Sequence, residues 1–157
     1  MNKTEKILED ACVNLGFKKE NVILSGQQKS NVELLDVDYV YVTEGNTFEI
    51  LLMLRERGLD SIIEEAVKKG ATYIGSSAGA MIAGTDVEEA LNFDRNYVGL
   101  SDFKGLCLFD GIVIPHYTKE ELKRYVHNSP GIEKRYKRIL SVGNEESFAI
   151  AEDVDSN

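Results

Sequence analysis

The chain has 157 residues, a hydrophobic fraction of 43% and a formal net charge of −9. That length and apolar content predict one domain over residues 1–157, because compact domains of roughly 100–150 residues are the commonest size. The acidic balance argues against a nucleic-acid partner, whose phosphates attract Lys and Arg, and against an anionic membrane surface.

Met1–Lys6 leads into an amphipathic pattern and not an apolar run, so no secretory signal is expected. No apolar stretch approaches the ~20 residues that span a bilayer, and the expected address is the cytoplasm. Ile7, Leu8, Ala11, Cys12 and Leu15 carry helical spacing over 4–15, with Gly16 as the stop. Val22-Ile23-Leu24 predicts a short strand and 31–35 a helical turn. The β-branched and aromatic run 38–42 predicts a strand. Thr47 is the expected cap of a helix running through Arg57. Ser61 and Glu64 suggest a capping box for a second helix, starting at Asp60-Ser61 and ending at Gly70. A strand at 71–75 follows.

Residues 86–106 read as a long loop with short pieces of structure. Ile112-Val113-Ile114 is a buried strand, 118–127 and 131–138 are helical, and 139–142 and 148–150 are closing strands. Strands alternating with helices predict an α/β fold, a mostly parallel sheet with helices on both faces. Cys12 and Cys107 fit no metal-ligand spacing and read as buried small hydrophobes in a reducing compartment. No metal or cofactor is expected.

The segment richest in chemistry is Tyr73-Ile74-Gly75-Ser76-Ser77-Ala78-Gly79-Ala80. A short strand runs into G-x-S-x-G and then into small residues that suit a helix, the nucleophile-elbow pattern. A sharp strand-to-helix turn presents Ser77. Gly75 and Gly79 let neighbouring backbone approach, and the Ala78 N–H can form half of an oxyanion hole. Gly45, in Thr43-Glu44-Gly45-Asn46-Thr47-Phe48 at the end of the 38–42 strand, can supply the other half. An ordinary tight turn with an Asn/Thr cap explains the same residues.

Of the two histidines, His116 follows a buried strand at its C-terminal end, where open α/β sheets place their ligands; His127 ends a polar helix. His116 is therefore the candidate base. The orienting acid is open at this point: Glu145, Glu146, Asp86, Asp94, Asp102 and Asp110 all lie in loops. The basic stretch Lys119, Lys123, Arg124, Lys134, Arg135, Lys137 and Arg138 reads either as a solvated helix face or as local attraction for an acidic ligand.

Taken together, Gly75-Ser76-Ser77-Ala78-Gly79-Ala80 resembles the G-x-S-A-G-A elbow of the peptidase E family of serine peptidases. Gly45-Asn46-Thr47-Phe48 resembles its G-G-G-N-T-F loop, with Thr43 and Glu44 replacing the first glycines. Pro115-His116-Tyr117 resembles its P-H-[FY] segment, Val142-Gly143-Asn144-Glu145-Glu146 its I-G-L-P-E, and Arg135-Tyr136-Lys137-Arg138-Ile139 its R-E-x-R-I helix. These matches span about residues 40–150 in one order.

The resemblance implies a class I glutamine amidotransferase-like fold, here lacking an N-terminal strand-helix-strand portion. It implies a Ser77–His116–Glu146 triad, an oxyanion hole at Gly45 and Ala78, and Arg135 as the reader of an acidic substrate group. The implied substrate is a short peptide, with an N-terminal aspartate as the family's preference. The shortened start suggests an open edge covered by a homodimer. It also motivates, with the altered Thr43-Glu44 loop, an alternative: a catalytically silent binding or regulatory protein on the same fold. Amidotransferase chemistry itself would want cysteine where Ser77 stands.

Overall fold

The computed structural model describes residues 1–28 and 30–151, so the last six residues of the expected 1–157 domain lie outside the described residues. The elements are α1 (Lys3–Asn14), β1 (Tyr39–Val42), α2 (Thr47–Glu56), α3 (Leu59–Lys68), β2 (Thr72–Gly75), α4 (Ala78–Ile82), β3 (Ile112–Pro115), α5 (Lys119–His127), α6 (Ile132–Arg135) and β4 (Ile139–Val142). Short 3-10 segments occur at Lys19–Asn21, Asn31–Asp36 and Glu88–Asn92.

The α/β architecture and the parallel pairing are as expected, but the ladder is in two pieces. β1 pairs with β2 and β3 with β4, both parallel. Residues 22–24 and 148–150 form no strand, which corrects two expectations. In the first segment Ile23 is exposed, so burial does not reward an extended run there.

Local chemistry sets the helix ends. Asn2 and Glu5 form a capping box at α1, and Thr118 and Glu121 form one at α5. At α2 the cap is Asn46, not Thr47: its side chain accepts from the N–H groups of Phe48 and Glu49. The predicted Ser61–Glu64 box is not used. α3 starts two residues before Ser61, after Gly58 in the left-handed conformation (φ 66°), with Leu59 buried at its first position.

Among the described residues, three apolar clusters hold the layers. One joins β1 through Val42 to Phe48, Leu51 and Leu54 of α2, Leu59 and Ile63 of α3, and Met81 and Ile82 of α4. Phe48 and Ile82 are fully buried, each side chain worth roughly 1.5–3 kcal/mol of transfer free energy. The strand β3 is buried throughout and serves both its faces. Val113 packs with Ala80 and Ala83 at α4, while Ile112 and Ile114 pack with Ile132, Tyr136 and side chains of α5. β1–β2 differs, because Tyr39, Tyr41 and Ile74 are exposed.

Backbone approach without side chains ties the two strand pairs together. A Cβ on Gly84 would lie 2.6 Å from the Gly111 oxygen, and one on Gly105 only 2.2 Å from the Gly84 oxygen. Only glycine fits at these crossings.

Candidate active site

All the predicted site residues except Arg135 stand just beyond the C-terminal ends of the parallel strands. The Ser76 N–H donates to the Val42 oxygen at 3.0 Å, carrying the β1–β2 ladder one step past Gly75. The chain then turns at Ser77, whose backbone (φ 52°, ψ −107°) lies in a strained region, and α4 begins at Ala78. Strain of this kind persists only where surroundings impose it. Here a Cβ on Gly75 would lie 2.6 Å from the Gly79 oxygen, and one on Gly79 would lie 2.1 Å from the Val42 oxygen. The Tyr73 hydroxyl donates to the Gly79 oxygen at 2.6 Å, pinning α4 to β2; burial pushes that phenol well above its usual range.

The second ladder delivers His116. Its N–H donates to the Val142 oxygen at 2.8 Å, and its φ of 66° takes the backbone out of the extended conformation of β3. The structure brings Ser77 Oγ and His116 Nε2 to 2.9 Å. The site opens to solvent: Ser77 is half-buried and His116 exposed.

Glu146 does not occupy the position that the family motif implies for it. The hydrogen bond on His116 Nδ1 is made by Asn144, with Oδ1 at 2.6 Å. The register explains this placement. Pro115 lies opposite Val142, so the residues just past Val142 stand beside His116. Glu146 lies past a turn closed by its own N–H on the Gly143 oxygen (3.1 Å), and its Oε2 accepts from the Gly143 N–H at 3.1 Å.

The other candidate carboxylates have separate tasks. Asp94 Oδ2 accepts from the N–H and hydroxyl of Thr47, at 2.8 and 2.6 Å. Asp86 accepts from the Tyr136 hydroxyl at 2.7 Å, Asp102 pairs with Arg55 and Asp110 with Lys137.

Of the predicted oxyanion donors, Ala78 is the first residue of α4, so its N–H has no intrahelical acceptor. Gly45 has a φ of 147° and lies in the loop that Asn46 and Asp94 anchor; the Asn46 amide also donates to the Arg95 oxygen at 2.9 Å.

Arg135 is engaged by protein carboxylates. Its guanidinium lies 2.5 Å from Glu88 and 3.4 Å from Glu89, and donates to the Tyr136 hydroxyl at 2.8 Å. The buried Glu89 also accepts from the Tyr125 hydroxyl. Burial first, then that hydrogen bond, push the Tyr125 phenol above its usual range. Cys107 corrects another expectation: it is exposed on a left-handed turn (φ 53°), with its Sγ toward the Thr85 oxygen. Partial desolvation of the sulfur by the surrounding turn, more than any nearby charge, raises its thiol pKa.

A serine on a strand-to-helix elbow, facing a histidine from another strand end, is the nucleophile arrangement of α/β serine hydrolases. The chain belongs to peptidase family S51, whose family model matches residues 2–154. Among similar proteins, an uncharacterized peptidase of Listeria monocytogenes is 28% identical over 144 residues, covering 89% of this chain and 70% of the relative. Peptidase E of Haemophilus influenzae is 32% identical over 138 residues, covering 88% and 61%. A crystal structure of a candidate peptidase E protein from Listeria monocytogenes matches with a TM-score of 0.58 and 33% identity, covering 73% of this chain and 55% of that one. The chain thus spans between half and somewhat over two thirds of these relatives' lengths. Among the described residues, no helix is long and apolar enough to cross a membrane.

Proposed function

We propose that this chain is a serine-type peptidase acting on short peptides through an acyl-enzyme. One observation carries the reading: Ser77 Oγ lies 2.9 Å from His116 Nε2, within reach for proton transfer. Ser77 Oγ attacks the scissile carbonyl carbon while its proton passes to Nε2 and the carbonyl electron pair moves onto oxygen. The N–H groups of Ala78 and Gly45 receive that oxyanion. The C–N bond then breaks as His116 returns the proton to the leaving amine. Water repeats the sequence, with His116 as base, to release the acid and restore Ser77.

The substrate we propose is a dipeptide or similarly short peptide with an N-terminal aspartate. Family membership supports this, as does Arg135, which matches the position that the peptidase E resemblance associates with binding an acidic side chain. A substrate carboxylate would exchange with Glu88 for the guanidinium, which stays 42% exposed and open to that exchange. Hydrolysis of an Asp-Leu dipeptide, followed by release of free leucine, tests the proposal. Turnover by wild type and none by Ser77→Ala supports it. No cleavage of any short peptide by folded wild-type protein defeats it.

A further inference from the structure

A serine–histidine pair works in one tautomer only. To accept the serine proton, Nε2 must hold a lone pair, so the ring proton must sit on Nδ1. In the structure Nδ1 meets the amide oxygen of Asn144 at 2.6 Å. An amide oxygen carries lone pairs and no proton, so this bond is donated by Nδ1–H. The opposite amide orientation would aim an N–H of Asn144 at Nδ1. The ring proton would then move to Nε2, which could donate to Ser77 Oγ but not accept from it.

We propose that Asn144 is the positioning residue that fixes His116 in its Nδ1–H tautomer, a neutral orienter where a triad carries an acid. This rests on reading Ser77 and His116 as a reacting pair. Three features place the amide. The β3–β4 register sets Val142 beside Pro115, the His116 N–H binds the Val142 oxygen, and the 143–146 turn is closed by Glu146 onto Gly143. Glu146 therefore acts on the turn, and Asn144 on the ring.

A triad carboxylate does two things: it selects the tautomer and stabilises the imidazolium that forms when the base takes its proton. An amide oxygen supplies the first and only a dipole's share of the second. Cys–His–Asn sites use asparagine this way. Asn144→Asp adds the missing charge while keeping an acceptor on Nδ1. Its rate profile should lose activity on the acid side at a higher pH than wild type, because a carboxylate there favours the protonated ring that cannot act as base. Asn144→Ala removes the acceptor, and Glu146→Gln weakens only the turn.

The test needs no turnover. Long-range proton–nitrogen spectra of protein with 15N-labelled histidine show which ring nitrogen bears the proton. The chain has two histidines, so His127→Gln completes the assignment. The expected wild-type spectrum at mildly alkaline pH has a pyrrole-type Nδ1 and a pyridine-type Nε2 for His116. Asn144→Ala should release the ring toward the Nε2–H form that free histidine favours, while Glu146→Gln and Asn144→Asp keep Nδ1–H. In parallel, fluorophosphonate labelling of Ser77 should slow about 10²-fold in Asn144→Ala and under about tenfold in Glu146→Gln.

An Nε2–H wild-type ring, or an Asn144→Ala spectrum identical to wild type, overturns the assignment. If Asn144→Ala does not fold, the wild-type and Asn144→Asp spectra decide, and Nε2–H in either refutes it. Wild-type protein with Nδ1–H but no reactive Ser77 refutes the peptidase reading and leaves the role of Asn144 standing.

Discussion

Replacing Gly79 with alanine tests whether the elbow depends on bare backbone contact. The added Cβ would sit 2.1 Å from the Val42 oxygen, 2.7 Å from its carbonyl carbon and 3.1 Å from its Cβ. Ordinary contact begins near 3.4 Å, so α4 and the end of β1 must separate by about 1.3 Å. Two of the three clashing atoms are backbone, which cannot swing aside. Overpacking of this kind costs roughly 1–3 kcal/mol. The Val42 oxygen also accepts the Ser76 N–H at 3.0 Å, and loosening that bond adds roughly 0.5–1.5 kcal/mol.

The expected destabilisation is thus about 1.5–4.5 kcal/mol, a large share of the roughly 5–15 kcal/mol typical of a domain. Urea unfolding should show the midpoint falling by about 1–2 M, given a slope near 2 kcal/mol/M. Ser77 moves with the helix, and a displacement of about 1 Å can cost 10²-fold in rate. Gly70→Ala is the control: nothing lies within 4 Å, so only left-handed strain of about 1–2 kcal/mol is added and Ser77 reactivity should stay unchanged. A Gly79→Ala protein with the wild-type midpoint and labelling rate would refute this account of the elbow.

His116→Ala should abolish hydrolysis as severely as loss of Ser77, since the two act as a unit, while His127→Ala should be mild; steady-state rates on one dipeptide decide, and the reverse order would move the base. For Arg135→Ala, kcat/KM on Asp-X against Asn-X should lose its preference for the acid, and an unchanged ratio would make Arg135 a purely structural partner of Glu88 and Glu89. Glu121 gives a pH prediction. The Thr118 backbone hydrogen bond first, then the Thr118 side chain, hold its carboxyl below the ordinary range. The folded pKa lies below the unfolded one, so its stabilisation is present above the unfolded value and is lost as pH falls through the folded one. Helicity of α5 followed by circular dichroism should therefore drop on acidification, and Glu121→Gln should flatten that drop; an identical acid profile in the variant would count against the capping box.

Much of the site was legible because strand ends and glycine spacing are local signals. The runs 38–42, 71–75, 112–114 and 139–142 became β1 to β4 within a residue or so, and their parallel pairing follows from the alternation with helices. Ser77 and His116 could be read because each directly follows such a run. What failed depended on register and tertiary contact. The Asn144–His116 hydrogen bond depends on the pairing of Pro115 with Val142, which motif similarity does not carry. Asp94 could not be linked to Thr47 from sequence, because 47 residues of chain separate them. The partners of Arg135, Glu88 and Glu89, were not legible because they lie in the poorly patterned 86–106 stretch. The unused Ser61–Glu64 box lost to Gly58, whose left-handed turn and the burial of Leu59 started α3 earlier.

In the proposed mechanism Ser77 is a nucleophile activated by His116. Incubation of the folded protein with a fluorophosphonate, followed by peptide mapping, tests it most directly. One covalent adduct is expected, on Ser77, absent from Ser77→Ala and strongly slowed in His116→Ala. An unmodified Ser77 in folded wild-type protein, or equal labelling of Ser77→Ala, would contradict it.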